Sequence, residues 1–452
     1  MNPKFLPLML LALTGCRDAT LPASAQNETA EVAPAAEIKR DTPLDKYLAR
    51  PETAYSWQNV ADGEFMPGDG NFNLRLTSQT WQGKPWTHRL QIFKPDNLRH
   101  PDAAILNVSF GSGSLPESIL GHAMANATGA YVVNVFNVPN QPLFGKTEDE
   151  LVAHTFAKYL ETGDETWPLL FPMTKSVTKS MDALEEWSEE AEGGKISKFI
   201  VFGASKRGWT TYLVAAGDPR VVGAVPIIYN NLDLPAQIAH QRDIWGETSR
   251  LAGPYARAGL FGQEQSEAGQ KLLNLIDPYA LRARLTMPKL LVHASNDGYW
   301  PLTGLDIYRA KLPGKTDVFN VPNAPHSLGN NISAVVGSVA AWSRLLLDGK
   351  SAPKVELKVE KTEDGQRFSL SSDDAPTATR LWIASANSKD FREAKWKSVD
   401  LEPRDGAYRA TVSNADLYSD GAKYAQAFAE IAVAAEPLPL RLSSDLWQGE
   451  KN

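Results

Sequence analysis

The chain has 452 residues, of which 43% are hydrophobic and 22% charged, with a formal net charge of -7. That length exceeds one small domain and leaves room for a large core with insertions. An acidic balance without a run of Lys and Arg gives no field for a phosphate backbone and excludes nucleic acid as a partner, while a single cysteine excludes a disulfide framework and a zinc site built from several thiolates.

The first residues read as an address. Met1 to Lys4 gives a short positive start, Phe5 to Leu13 an apolar run, and Leu13-Thr-Gly-Cys16 follows at once, the parts of a bacterial export signal. The run is far shorter than the ~20 apolar residues of a spanning helix. Its ending resembles a lipobox, so residues 1–16 are expected to be a lipoprotein signal peptide with Cys16 as the lipidated residue. The N-terminal lipid then makes the membrane a partner and places the protein in the cell envelope. A competing cleavage site, Ala23-Ser-Ala25, lies beyond Arg17 and Asp18. Residues 17–41, rich in Ala, Glu, Thr and Pro, read as a flexible tether.

Residues 42–350 form the expected main domain. Asn73 to Ser78 and His88 to Phe93 predict an opening hairpin about a Gly-Lys-Pro turn. Short apolar runs follow at Ala103 to Ser109, Tyr131 to Val135, Phe199 to Phe202, Val221 to Tyr229, Lys289 to His293 and Asp317 to Val321, separated by stretches of helical period. Strands apolar on both faces and alternating with helices predict a mainly parallel sheet covered on both sides. Glu148 to Glu190 carries helical spacing, and a segment at about 232–284, with Trp245, Tyr255 and Phe261, is expected to form a cap. From 351 to 452 short alternating segments predict a small β-sandwich.

The chemistry gathers where the strand Lys198 to Phe202 runs into Gly203-Ala-Ser205-Lys-Arg-Gly208 and then a helix from Trp209. Strand, sharp turn with serine, helix is the nucleophile elbow: small neighbours let strand and helix approach, and the helix start offers N–H groups to an oxyanion. Arg207 occupies the place usually held by a second glycine. Downstream, Asp297 follows the Lys289 strand and His326 follows the Asp317 strand, giving the Ser, Asp, His order of α/β-hydrolases. Ser205 is then the nucleophile, His326 the base and Asp297 the acid that orients it. Asp233, just after the strand ending at Tyr229, stands as an alternative acid. The oxyanion donors are expected from Lys206 and from Gly111, in the glycine-serine loop after the first parallel strand. Lys206 and Arg207 either favour an acidic substrate group, with Arg207 contacting it, or are partnered by the protein's own carboxylates. There is no His-Glu-x-x-His, and Asp69 to Asn73 lacks a calcium loop's remaining ligands, so no metal and no cofactor is expected.

The sequence also resembles the PhoPQ-activated pathogenicity-related protein family, in Leu44-Asp-Lys-Tyr-Leu-Ala-Arg-Pro51 with Ala54-Tyr-Ser-Trp57, Leu76-Thr-Ser-Gln-Thr-Trp81, Val138-Pro-Asn-Gln-Pro142, Trp167-Pro-Leu-Leu-Phe-Pro-Met-Thr-Lys-Ser176 and Gly203-Ala-Ser-Lys-Arg-Gly-Trp-Thr-Thr211 with Asp218-Pro-Arg220. The resemblance implies an α/β-hydrolase fold with the elbow serine as nucleophile, and makes Arg207 a family feature. The expected activity is hydrolysis of an ester or amide in a small-molecule or peptide substrate through an acyl-enzyme. The competing class is a catalytically silent binding protein on the same scaffold.

Overall fold

The computed structural model describes residues 40–61, 70–111 and 113–451. Cys16, the expected signal segment and nearly all of the expected tether lie outside them. After a short helix α1 (Pro43–Leu48) come strands β1 (Ser56–Asn59), β2 (Phe72–Trp81), β3 (Lys84–Phe93), β4 (His100–Val108), β5 (Ala130–Val135), β6 (Lys198–Ala204), β7 (Val221–Ile227), β8 (Lys289–Ala294) and β9 (Thr316–Val321). They form one nine-stranded sheet in the order β1-β2-β3-β5-β4-β6-β7-β8-β9. The first three are antiparallel and the rest run parallel. This is the α/β-hydrolase arrangement the sequence implied. Every residue of β5 and β8 is buried, as strands covered on both faces must be.

The opening hairpin is longer than its pattern predicted. The chain turns at Gln82-Gly83, both at positive φ (48° and 71°), the geometry of the primed two-residue turns that match strand twist. A register shift between Thr77 and Gln79 turns Ser78 and Gln79 inward in succession, both fully buried. That bulge breaks the period of two on which the prediction rested.

Helices α2 (Leu115–Thr128), α3 (Glu148–Thr162), α4 (Leu170–Glu192) and α5 (Lys206–Gly217) fill the crossovers. Between β7 and β8 the expected cap contains α6 (Leu234–Trp245), α7 (Gly253–Arg257) and α8 (Glu267–Ile276); α9 (Leu305–Tyr308) and α10 (Ile332–Leu347) follow the last two strands. One apolar core joins a sheet face to α1, α4, α5 and the cap. The other joins the opposite face to α2, α10 and the C-terminal strands.

The strings that carry the family resemblance interlock beneath the first face. Tyr47 donates to Gln79 Oε1 at 2.9 Å, and Gln79 Nε2 donates to Pro172 O at 2.7 Å and Ser176 Oγ at 3.1 Å. Fully buried Lys175 reaches Arg50 O at 2.7 Å and Glu52 Oε1 at 2.6 Å. A hidden ammonium is tolerable only when bonded in this way.

The C-terminal part is antiparallel throughout: β10 (Val355–Thr362), β11 (Gly365–Ser372), β14 (Glu402–Arg404) and β15 (Ala407–Ser413) in one sheet; β12 (Ala378–Ala386), β13 (Lys397–Asp400), β16 (Tyr424–Val433), β17 (Leu440–Ser443) and β18 (Trp447–Glu450) in another. It shares the second core and belongs to the same compact unit as the main sheet. Asn320 N–H, in the last strand of the main sheet, donates to Ser443 Oγ at 3.0 Å, so β17 covers an edge that would otherwise invite pairing.

Candidate active site

Ser205 stands between β6 and α5 at φ 57°, ψ -123°, a strained setting for a residue with a side chain. Its N–H donates to Ile227 O at 2.9 Å, tying the turn to the neighbouring strand. A Cβ on Gly203 would lie 2.8 Å from Arg207 Cβ and carbonyl oxygen, and one on Gly208 would lie 3.0 Å from Ile227 O and 3.1 Å from Gly203 O. The close approach that the usual second glycine permits is therefore supplied by Gly208, one residue later, and Arg207 is free to point elsewhere.

His326 Nε2 lies 2.9 Å from Ser205 Oγ, and His326 Nδ1 lies 3.0 Å and 2.9 Å from the two oxygens of Asp297. With Nδ1–H donated to the carboxylate, Nε2 is left to accept the serine proton. Asp297 is almost wholly buried, and its Oδ1 accepts the Tyr299 N–H at 2.7 Å. The alternative acid, Asp233, precedes α6 in a left-handed conformation, with no capping bond from its side chain and Lys311 Nζ 3.8 Å away. Of the two, Asp297 is the one that bonds His326.

The two cations of the elbow turn to the protein's own carboxylates. Arg207 Nη1 and Nη2 donate to the two oxygens of Glu148 at 2.7 Å each, its Nε donates to Val138 O at 2.8 Å, and the guanidinium lies over the Phe110 ring at 5.0 Å. Lys206 Nζ is 2.7 Å from Glu148 Oε2 and 3.2 Å from Asp149 Oδ1. Burial alone would push the Glu148 pKa up, yet bonds and charge from Arg207 and Lys206 hold it well below the usual carboxylate range. Every nitrogen of the Arg207 guanidinium has a protein acceptor, so of the two readings offered for this cation the structure shows the pairing with the protein's own carboxylate. Glu148 and Asp149 were missed in the sequence because acidic residues in a first helical turn are ordinary there. The nearby family string Val138 to Pro142 was the available signal.

The Lys206 amide, at the first position of α5, has no acceptor within the helix and is available to an oxyanion. Val108, the last residue of β4, is in register with Gly203, so the loop carrying Gly111 (φ 71°) leaves the sheet beside the elbow. The Gly111 carbonyl accepts from Asn137 N–H at 3.2 Å. Ser112 lies outside the described residues.

Two further residues tie the site to the C-terminal part. Asn296 Nδ2 donates to Ala394 O at 2.7 Å and Arg392 O at 3.1 Å, and Asn323 exchanges hydrogen bonds with the Trp396 backbone. One asparagine adjoins Asp297; the other is three residues before His326. Aromatic rings complete the setting, with Tyr299 4.4 Å and Trp300 5.3 Å from the imidazole centre.

A cavity of about 160 Å³ opens beside Ser205 and runs under the cap, walled by Trp209, Tyr229, Leu234, Ile238, Phe261 and Leu272 among others. Among the described residues no group of three or more His, Cys, Asp or Glu is placed to hold a metal ion, and no helix is long and apolar enough to cross a membrane.

The family described as PhoPQ-activated pathogenicity-related protein matches residues 44–392. The chain is 28% identical over 419 residues, 83% of each chain, to autocrine proliferation repressor protein A of Dictyostelium discoideum. Among solved structures it resembles acetyl xylan esterase 1 from Thermoanaerobacterium sp. JW/SL YS485, with a TM-score of 0.48 and 18% identity over 68% of this chain and 92% of that one. It also resembles an S-formylglutathione hydrolase from Agrobacterium tumefaciens, with a TM-score of 0.41 and 17% identity over 61% and 95%.

Proposed function

The chain belongs to the PhoPQ-activated pathogenicity-related protein family, and from that premise and the site's geometry we propose that it is an exported serine hydrolase cleaving an ester or amide bond. The observation that carries the reading is the continuous chain of short contacts from Ser205 Oγ through His326 to Asp297. His326 takes the serine proton as Oγ attacks the carbonyl, and Asp297 holds the ring and stabilises its charged form. The Lys206 amide and one from the Gly111 loop receive the oxyanion. His326 then gives its proton to the leaving group; water, activated by the same imidazole, releases the acyl group from Ser205.

Fluorophosphonate labelling tests this. The full chain is expected to take one label, mapping to Ser205 and lost in Ser205→Ala and His326→Ala. A folded wild type that takes none would overturn the reading.

Export rests on the sequence alone. Cys16 carries the lipid and anchors the protein in the cell envelope; Cys16→Ser is expected to release it from the membrane fraction, and a variant that stays there would remove the anchor.

A second reading, a silent binding protein, has one observation in its favour: the Dictyostelium relative's name records repression of proliferation and no reaction. Absence of labelling would select it.

A further inference from the structure

The cavity under the cap has a chemistry of its own. Its wall is mostly aliphatic and aromatic, and the ionic groups that reach it are already paired. Lys206 is shared by Glu148 and Asp149; Asp149 also accepts from Tyr299 Oη at 2.7 Å and Tyr255 Oη at 3.4 Å. Across the cavity, Glu264 is held by Arg242 Nη2 at 3.0 Å. The two carboxylates and two cations at the elbow cancel, so a charged substituent entering here would lose its water without finding an unclaimed opposite charge; the Tyr229 hydroxyl, buried in the same wall and without a hydrogen-bond partner among the described residues, is neutral.

We infer that this cavity receives a bulky, apolar, uncharged substituent flanking the scissile carbonyl, of the size of a medium alkyl chain or an aryl ring, so that the substrates are esters or amides of such groups. The inference rests on the hydrolase reading for its reaction and on the cavity wall for its selectivity. Apolar cavities of roughly 150 Å³ take up benzene, and the cavity here measures about 160 Å³. An acetyl group would leave most of that wall wet. Each added methylene that reaches it is expected to raise kcat/KM about fourfold until the space is filled.

Selectivity is set by cap residues. Ile238 on α6 and Phe261 between α7 and α8 line the cavity and are only partly buried; both lie outside the main apolar cores.

The test measures kcat/KM of the full chain on ethyl acetate, butanoate and hexanoate, and on ethyl, butyl and hexyl acetate, beside fluorophosphonate labelling. A rise of about fourfold per methylene in one series, lost in Ile238→Trp and extended to longer chains in Phe261→Ala, supports the inference. Labelling at Ser205 with flat or falling values in both series overturns it and leaves the hydrolase reading standing. If no label is taken, the hydrolase reading fails, and the cavity is read by tryptophan fluorescence with butanol, pentanol and hexanol. Kd falling about fourfold per methylene, and weakened in Ile238→Trp, then supports an apolar ligand, whereas Kd independent of chain length overturns one. Thermal melts identify variants that fail to fold; Leu273→Trp, on the same wall, replaces Ile238→Trp in that event.

Discussion

Asn323 Nδ2 donates to Trp396 O and accepts, through Oδ1, from Trp396 N–H, both at 2.9 Å. A side-chain amide thereby fastens the loop that ends in His326 to a loop of the C-terminal sheets. Asn323→Ala is expected to leave a folded protein whose kcat falls about 10- to 100-fold with little change in KM, because sub-ångström placement of a base has costs of that order. A proportionate rise in KM alone would show that the clamp does not position the imidazole.

Asp297→Asn is expected to lower kcat by about 10⁴, the cost of presenting His326 with the wrong hydrogen-bond partner. Asp233→Asn, which tolerates the same left-handed backbone, is expected to stay within about twofold of wild type. Steady-state rates on one ester decide between them; reversed effects would return the acid to the end of β7.

Glu148 carries acid-side stability. Its pKa is lowered in the folded chain, so its stabilising contribution is full above the ordinary carboxylate value and fades as pH falls below it. Glu148→Gln is expected to destabilise the protein at pH 7 by on the order of 2 kcal/mol, since Arg207 stays buried with its charge uncompensated while part of Glu148 meets water. Melting curves from pH 7 to pH 3 should show the gap between variant and wild type constant above the ordinary carboxylate value and narrowing below it, without closing by pH 3.

Asp277 acts in the opposite sense. It accepts from Leu234 N–H at 2.7 Å and Tyr279 N–H at 2.9 Å, and burial pushes its pKa up to about 6 from 3.8. Between those values the folded chain keeps a proton that the unfolded chain releases, so stability falls as pH rises, by up to about 1 kcal/mol per pH unit. Asp277→Asn should flatten that slope in denaturant titrations at pH 4, 5 and 6.

The succession of strands along the chain from Asn73 onward, the elbow and the Ser, Asp, His sequence were legible because each rests on local signals: all-apolar runs, a serine between strand and helix, polar residues just past strand ends. Arg207 was legible as an oddity and not as a role, since its partner Glu148 sits 59 residues away, a distance no periodicity spans. Likewise the strand Phe72–Trp81 was cut short because a bulge at Ser78 hides the period of two. Asn296 and Asn323 look like ordinary loop residues; only the meeting of both with residues 391–396 gives them a task.

The cap has a consequence for how the chain can diverge. Most of the cavity wall comes from one contiguous stretch between β7 and β8, while the groups around the serine oxygen come from outside it. Replacing that single stretch rewrites what fits beside Ser205 without disturbing how the bond is broken. Relatives sharing the elbow and its arginine therefore need not share a diet, and comparing residues 232–284 would sort them better than comparing the triad.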